Sequence, residues 1–167
     1  QAALPVLAVE AARNKENFNK FLNASLREIL YLALPASVLL LVLRIPVVRL
    51  AFGARTFPWE ATILTGKVVA LFALSIFAQA IIQILVRAFY ALQDTKTPFY
   101  LATAVVLLNV VLAFFLTFQL KLAILGLALA ASLASIFHAL MLLVFIQKKN
   151  PFLTPENFFK PLLKIVS

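Results

Sequence analysis

RAFYALQDTKTPFY, residues 87–100, carries two cations, one acid and a Thr-Lys-Thr-Pro turn. On either side the sequence is almost free of charge. VVALFALSIFAQAIIQILV precedes it (residues 68–86), and FYLATAVVLLNVVLAFFLTF begins at its end (residues 99–118). A bilayer core about 30 Å thick is crossed by about 20 residues of apolar helix, so each flanking run is long enough to span. The polar stretch then reads as the link between two antiparallel membrane helices. Two more runs qualify. One covers residues 28–43 and continues past Arg44 and Pro46 towards Phe52; the other covers 122–146. Only Gln119, Leu120 and Lys121 separate the last two spans, which predicts a tight antiparallel hairpin. The expected fold is all-α: a polytopic membrane helix bundle with four full transmembrane helices and partial helices at both ends.

Composition agrees. Apolar residues make up 64% of the chain and charged ones 13%, with a mean hydropathy of +1.04. Soluble domains are nearer half apolar and about a quarter charged. The net charge of +9 does not point to nucleic acid, because the basic residues stand at the ends of apolar runs, where membrane proteins keep them. There is no cysteine, hence no disulfide framework and no thiolate metal site. Both ends read as cut. QAALPVLAV is too short to span and lacks the charged start of a signal peptide. TPENFFKPLLKIVS reads as the start of another helix, with Thr154 as N-cap, Pro155 in the first helical position, Glu156 in the first turn and a kink at Pro161. Residues 1–167 are therefore expected to form part of one larger transmembrane domain.

Positive charge in the loops sets orientation. Arg13, Lys15, Lys20, Arg27, Arg87, Lys96, Lys148, Lys149, Lys160 and Lys164 fall on one side, ten in all; Arg44, Arg49, Arg55, Lys67 and Lys121 make five on the other. The count predicts that both ends and the 87–100 link are cytoplasmic.

Polar groups inside apolar spans are costly and ask for an explanation. Ser75, Gln79, Gln83 and Arg87 are four residues apart, forming one stripe along a helix with Lys67 at its other end. Such a stripe lines a water-filled cavity, where amides and end cations meet an anionic, sugar-bearing substrate. Alternatively, it hydrogen-bonds neighbouring helices while Arg87 anchors at the headgroups. Asn109, with Thr103 before it, fits an interhelical hydrogen bond. Gly126, Ala128, Ala130, Ala131, Ser132 and Ser135 make a small-residue face suited to close packing, and His138 lies beside it. Pro35 stands within the first span and is expected to kink it.

Enzyme chemistry has little to use. Glu10, Glu16, Glu28, Asp94 and Glu156 lie on one side and Glu60 on the other, with no acidic pair to hold a metal and a pyrophosphate. Neither a G-x-G-x-x-G nor a Walker loop occurs, and the loops are too short for a catalytic domain. The reading is a transporter without catalytic residues, metal or cofactor.

At the link, Phe89, Tyr90, Ala91, Gln93, Asp94, Thr95, Lys96, Thr97 and Pro98 match an aromatic pair, a small residue and Gln-Asp-Thr-Lys/Arg-Thr-Pro. This motif resembles that of the MurJ-type (MviN) lipid II flippases, within the superfamily of multidrug, oligosaccharidyl-lipid and polysaccharide exporters. QAALPVLAVEAA, LREILYLALPASVLLLVLRIPVVRLAF, the Asn109 region and LGLALAASLAS resemble other parts of the family in order and spacing. One departure follows Phe52. The family reads Phe-x-x-Gly-x-Phe, whereas here Arg55 holds the glycine position and Gly53 lies two residues earlier. A turn needing positive φ is expected to shift to Gly53 or take another shape.

The resemblance implies fourteen membrane helices, of which this chain holds the end of helix eight, helices nine to twelve and the approach to thirteen. It implies a bacterial inner-membrane protein that flips undecaprenyl-pyrophosphate-linked disaccharide-pentapeptide outward by alternating access, driven by a coupling ion or the membrane potential. Membrane lipids are its other partners. The family's main substrate-binding arginines lie on earlier helices and do not carry over. Open alternatives are an exporter of another polyprenyl-linked glycan and a non-transporting scaffold in cell-wall synthesis. In the link, Pro98 is expected to start the next helix, Asp94 to accept from backbone amides or pair with Lys96 or Arg87, and Phe89 and Tyr90 to sit at the membrane interface.

Overall fold

The computed structural model describes residues 15–53 and 57–149. The readings placed on residues 1–14, on Arg55 and on 150–167 lie outside the described residues. Among the described residues six α-helices follow in order: α1 (Lys15–Val42), α2 (Arg44–Phe52), α3 (Trp59–Ala73), α4 (Ile76–Ala91), α5 (Lys96–Phe114) and α6 (Ile124–Lys149). A π-helical turn, Phe115–Gln119, closes α5. Among the described residues, four helical runs are long and apolar enough to cross a membrane: Glu16–Val42, Trp59–Ala91, Lys96–Gln119 and Ile124–Lys149. These are the four expected spans. The second is longer than its apolar run and is built from two helices, α3 and α4, that meet at Leu74 and Ser75.

The first span is interrupted at Leu43, although Pro35 lies well inside α1. Pro46 explains the position. Its ring nitrogen has no hydrogen to offer the Val42 carbonyl, so the ladder cannot run on from α1 into α2. After α2 the chain turns at Gly53, which takes φ 77°, a left-handed value open to glycine at little cost. Phe52 and Phe57 stack across this turn with ring centroids 5.0 Å apart. Gly53 thus takes a positive φ, which is the first of the two outcomes open to this turn, while Arg55 lies outside the described residues.

α6 is the central helix and packs on α3, α4 and α5. Its buried positions explain why: Gly126, Ala128, Ala130, Ser132 and Ala134 let neighbouring backbones approach closely. α1 contributes a stripe of Phe18, Leu22, Leu26 and Leu30 at helical spacing. That stripe meets Ile84, Leu85 and Phe89 of α4 and Leu142 and Ile146 of α6. All of these sit towards the 92–95 link, so that end of the bundle is sealed by packed side chains. Towards the α5–α6 hairpin the packing opens. There α3, α5 and α6 surround an apolar cavity of about 490 Å³, lined by Val68, Phe72, Asn109, Ala113, Leu127 and Ala131 among others. α5 buries only Pro98 and Val105 and leaves Val106, Leu107, Val110 and Val111 exposed, a pattern suited to an apolar solvent.

Candidate functional site

The link between α4 and α5 is built from its own residues. α4 ends in a Schellman motif: the Asp94 N–H donates to the Phe89 carbonyl and the Gln93 N–H to that of Tyr90, both at 3.0 Å. Gln93 occupies the left-handed position of that motif with φ 58°. Asp94 then caps α5. Its Oδ1 accepts the Thr97 N–H at 3.1 Å and its Oδ2 accepts the Thr97 hydroxyl at 2.6 Å. Pro98 follows in the first turn, where a missing N–H is cheap, and is buried. Thr95 and Lys96 are exposed at the turn.

Asp94 forms an ion pair with Lys149, the last residue of α6, rather than with Lys96 or Arg87. The capping bonds orient the carboxylate, and α6 ends beside it, so the cation comes from another helix. Lys149 and the Thr97 hydroxyl hold the Asp94 carboxyl well below the usual carboxylate range, and it is ionised at neutral pH. One carboxylate thereby ties the end of α4, the start of α5 and the end of α6 together. The aromatic pair divides. Tyr90 is about half exposed, but Phe89 is fully buried in the core, because its position on α4 faces α1 and α6.

The polar stripe of the second span also divides. Near Ser75 the helical ladder changes step: the Ser75 N–H donates to Phe72, three residues back, at 2.9 Å. The Leu71 carbonyl, its ordinary partner four residues back, instead accepts the Ser132 hydroxyl of α6 at 2.7 Å. Ser75 is buried and its own hydroxyl also bonds the Phe72 carbonyl. One turn further on, the Gln79 amide donates to the Ser135 hydroxyl at 2.9 Å. Ser75 and Gln79 therefore hold the span to itself and to α6. Gln83 is exposed and Arg87 is half-buried, on the side of α4 away from Leu85 and Phe89. Neither makes an ion pair or a hydrogen bond with another side chain among the described residues.

Among the described residues, the third span makes no interhelical bond of the kind expected from Asn109 and Thr103. Thr103 bonds back to the Phe99 carbonyl of its own helix, and Asn109 lines the apolar cavity. His138 keeps a buried Nε2 with no hydrogen-bond partner among the described residues. No group of His, Asp and Glu able to hold a metal occurs among the described residues. Two features escape sequence reasoning. Lys149 lies 55 residues from Asp94, and the break at Ser75 falls in an uninterrupted apolar run whose one local signal is the serine itself.

The model of the family described as "Lipid II flippase MurJ" matches residues 1–167. The chain belongs to the MurJ lipid II flippase family. Among curated relatives it is similar to the lipid II flippase MurJ of Thermosipho africanus, 33% identical over 83% of this chain and 29% of that protein. The probable lipid II flippase MurJ of Rhizobium meliloti is 37% identical over 84% of this chain and 27% of that protein. A solved lipid II flippase MurJ in its inward closed conformation superposes with a TM-score of 0.76 at 31% identity, over 87% of this chain and 31% of that one. The chain thus spans about three-tenths of the length of these MurJ proteins.

Proposed function

We propose that the chain is the part of a lipid II flippase running from the end of its eighth membrane helix, through helices nine to twelve, to the approach to the thirteenth. The whole protein carries undecaprenyl-pyrophosphate-linked disaccharide-pentapeptide from the cytoplasmic to the outer face of the bacterial inner membrane. It works by alternating access between two helical bundles, biased by an ion gradient or the membrane potential. The family match over the full 167 residues carries this reading, and the superposition on a MurJ structure supports it. It favours lipid II over another polyprenyl-linked glycan, and transport over a scaffold. In this reading both ends and the 92–95 link are cytoplasmic, as the ten-to-five excess of basic residues favours.

Within the second bundle, Gln83 and Arg87 are the cavity-facing candidates. Both project from α4 without a side-chain partner, near the level where an anionic headgroup enters from the cytoplasm. Gln79 serves the α4–α6 pairing instead. The test is rescue of a bacterium depleted of its own flippase by the full-length gene. Growth with normal cell shape is expected, with Arg87→Ala lowering rescue at unchanged protein level. Normal membrane insertion without rescue would move the protein to the other-glycan or scaffold reading.

A further inference from the structure

We propose that residues 71–75 form a two-state hinge in the second span, and that Ser132 of α6 is its latch. A serine hydroxyl has one proton to donate. The Ser132 hydroxyl stands 2.7 Å from the Leu71 carbonyl and 2.9 Å from the Ala128 carbonyl of its own helix, so it serves one or the other. In the state seen here, Ser132 holds the Leu71 carbonyl, and the Ser75 N–H takes the nearer Phe72 carbonyl at 2.9 Å. In the second state Ser132 turns to Ala128 and releases Leu71. The freed carbonyl accepts the Ser75 N–H at ordinary α-helical spacing, and α3 runs into α4 without a break. The Ser132 hydroxyl and the Ser75 N–H each keep one acceptor in both states, and the Leu71 carbonyl keeps one donor. None of these three groups is orphaned in apolar surroundings by the exchange, which is the cost that ordinarily prevents a membrane helix from changing its ladder.

The surroundings decide which arm moves. α4 is held by the Gln79–Ser135 bond and by the packed core around Leu85 and Phe89. α3 has fewer restraints, and its Val68 and Phe72 border the cavity of about 490 Å³, so space lies beside it. α2 packs on α3, so it moves with that arm.

The experiment uses the full-length protein in lipid nanodiscs, with spin labels at two exposed positions, Glu60 at the start of α3 and Leu122 beside the start of α6. A turn of roughly 15° on an arm of about 20 Å moves the label by roughly 5 Å. Ser132→Ala is expected to shift the distance distribution by several ångströms into a second population. Ser75→Pro removes the N–H that the straight state needs and crowds the Leu71 carbonyl, so adding it to Ser132→Ala is expected to restore the original distribution. If the alanine variant does not fold, Ser132→Cys, a weak donor, carries the same expectation. A distribution unchanged by loss of the hydroxyl, or a shift that the proline does not reverse, overturns the hinge. The measurement needs no substrate and is independent of the flippase reading.

Discussion

Two links of the bundle, α4–α5 and α5–α6, join their spans by different chemistry. Between α4 and α5 the turn is specified by side chains: Gln93 accepts the left-handed position, Asp94 caps the next helix, and Lys149 reaches the same carboxylate. Between α5 and α6 the turn is specified by backbone. α5 winds out through a π-helical turn, Lys121 and Ala123 take φ 52° and 48°, and the start of α6 presses against residues 116 and 117. At Gly126 an added Cβ would lie 2.8 Å from the Leu116 carbonyl carbon and 2.9 Å from the Thr117 nitrogen. A link made by side chains can be weakened one bond at a time. One made by backbone contact tolerates no added atom, since the obstructing groups cannot rotate away.

The largest expected effect comes from breaking the second kind. Gly126→Ala should destabilise the full-length protein by about 1–3 kcal/mol, the usual range for overpacking a tight contact. Gly66→Ala is the matched control. Its Cβ would lie 2.6 Å from the tip of the Ile45 side chain, which can turn aside, so the cost should stay below about 1 kcal/mol. Thermal unfolding midpoints in detergent compare the two, and equal losses would contradict the backbone argument.

The side-chain link should fail more gently. Asp94→Ala removes a cap, for about 1 kcal/mol. The Asp94–Lys149 pair adds only about 0.2–1 kcal/mol, because Lys149 is half exposed. A double-mutant cycle with Lys149→Ala measures that coupling, and strict additivity would show that the ion pair contributes nothing. The pH dependence follows from the lowered Asp94 pKa. The stabilisation is fully present above the ordinary value of 3.8 and is lost as pH falls through the folded value below it. Wild type and Asp94→Asn should therefore keep a constant stability difference from pH 7 to about pH 4 and converge only in stronger acid. Convergence near pH 6 would mean that the carboxylate is not held by Lys149 and Thr97.

The smallest effects test the left-handed residues that both links share. Ala123→Gly and Gln93→Gly relieve positive φ at the expense of a more flexible unfolded chain, and each should gain about 0.5 kcal/mol. Loss of stability at either position would indicate that its side chain contributes packing worth more than the strain.

The membrane spans and the family were legible because each rests on local patterns. Long apolar runs bounded by charge leave helix as the only way to pair every backbone group in lipid, and the QDTKTP link carries its own capping chemistry at Asp94, Thr97 and Pro98. At the outer turn the sequence offered Gly53 as a place for positive φ without deciding the turn's shape, and Gly53 does take φ 77°. Long-range partners decided the rest. Periodicity marks Phe89, Tyr90, Gln79 and Gln83 as apolar or polar positions on α4, but only the placement of α1 and α6 buries Phe89, occupies Gln79 and leaves Gln83 open. Lys149 reaches Asp94, and Ser132 reaches Leu71, across more than fifty residues of chain. A helix's own sequence records which groups it must satisfy; which neighbour satisfies them depends on how the helices pack.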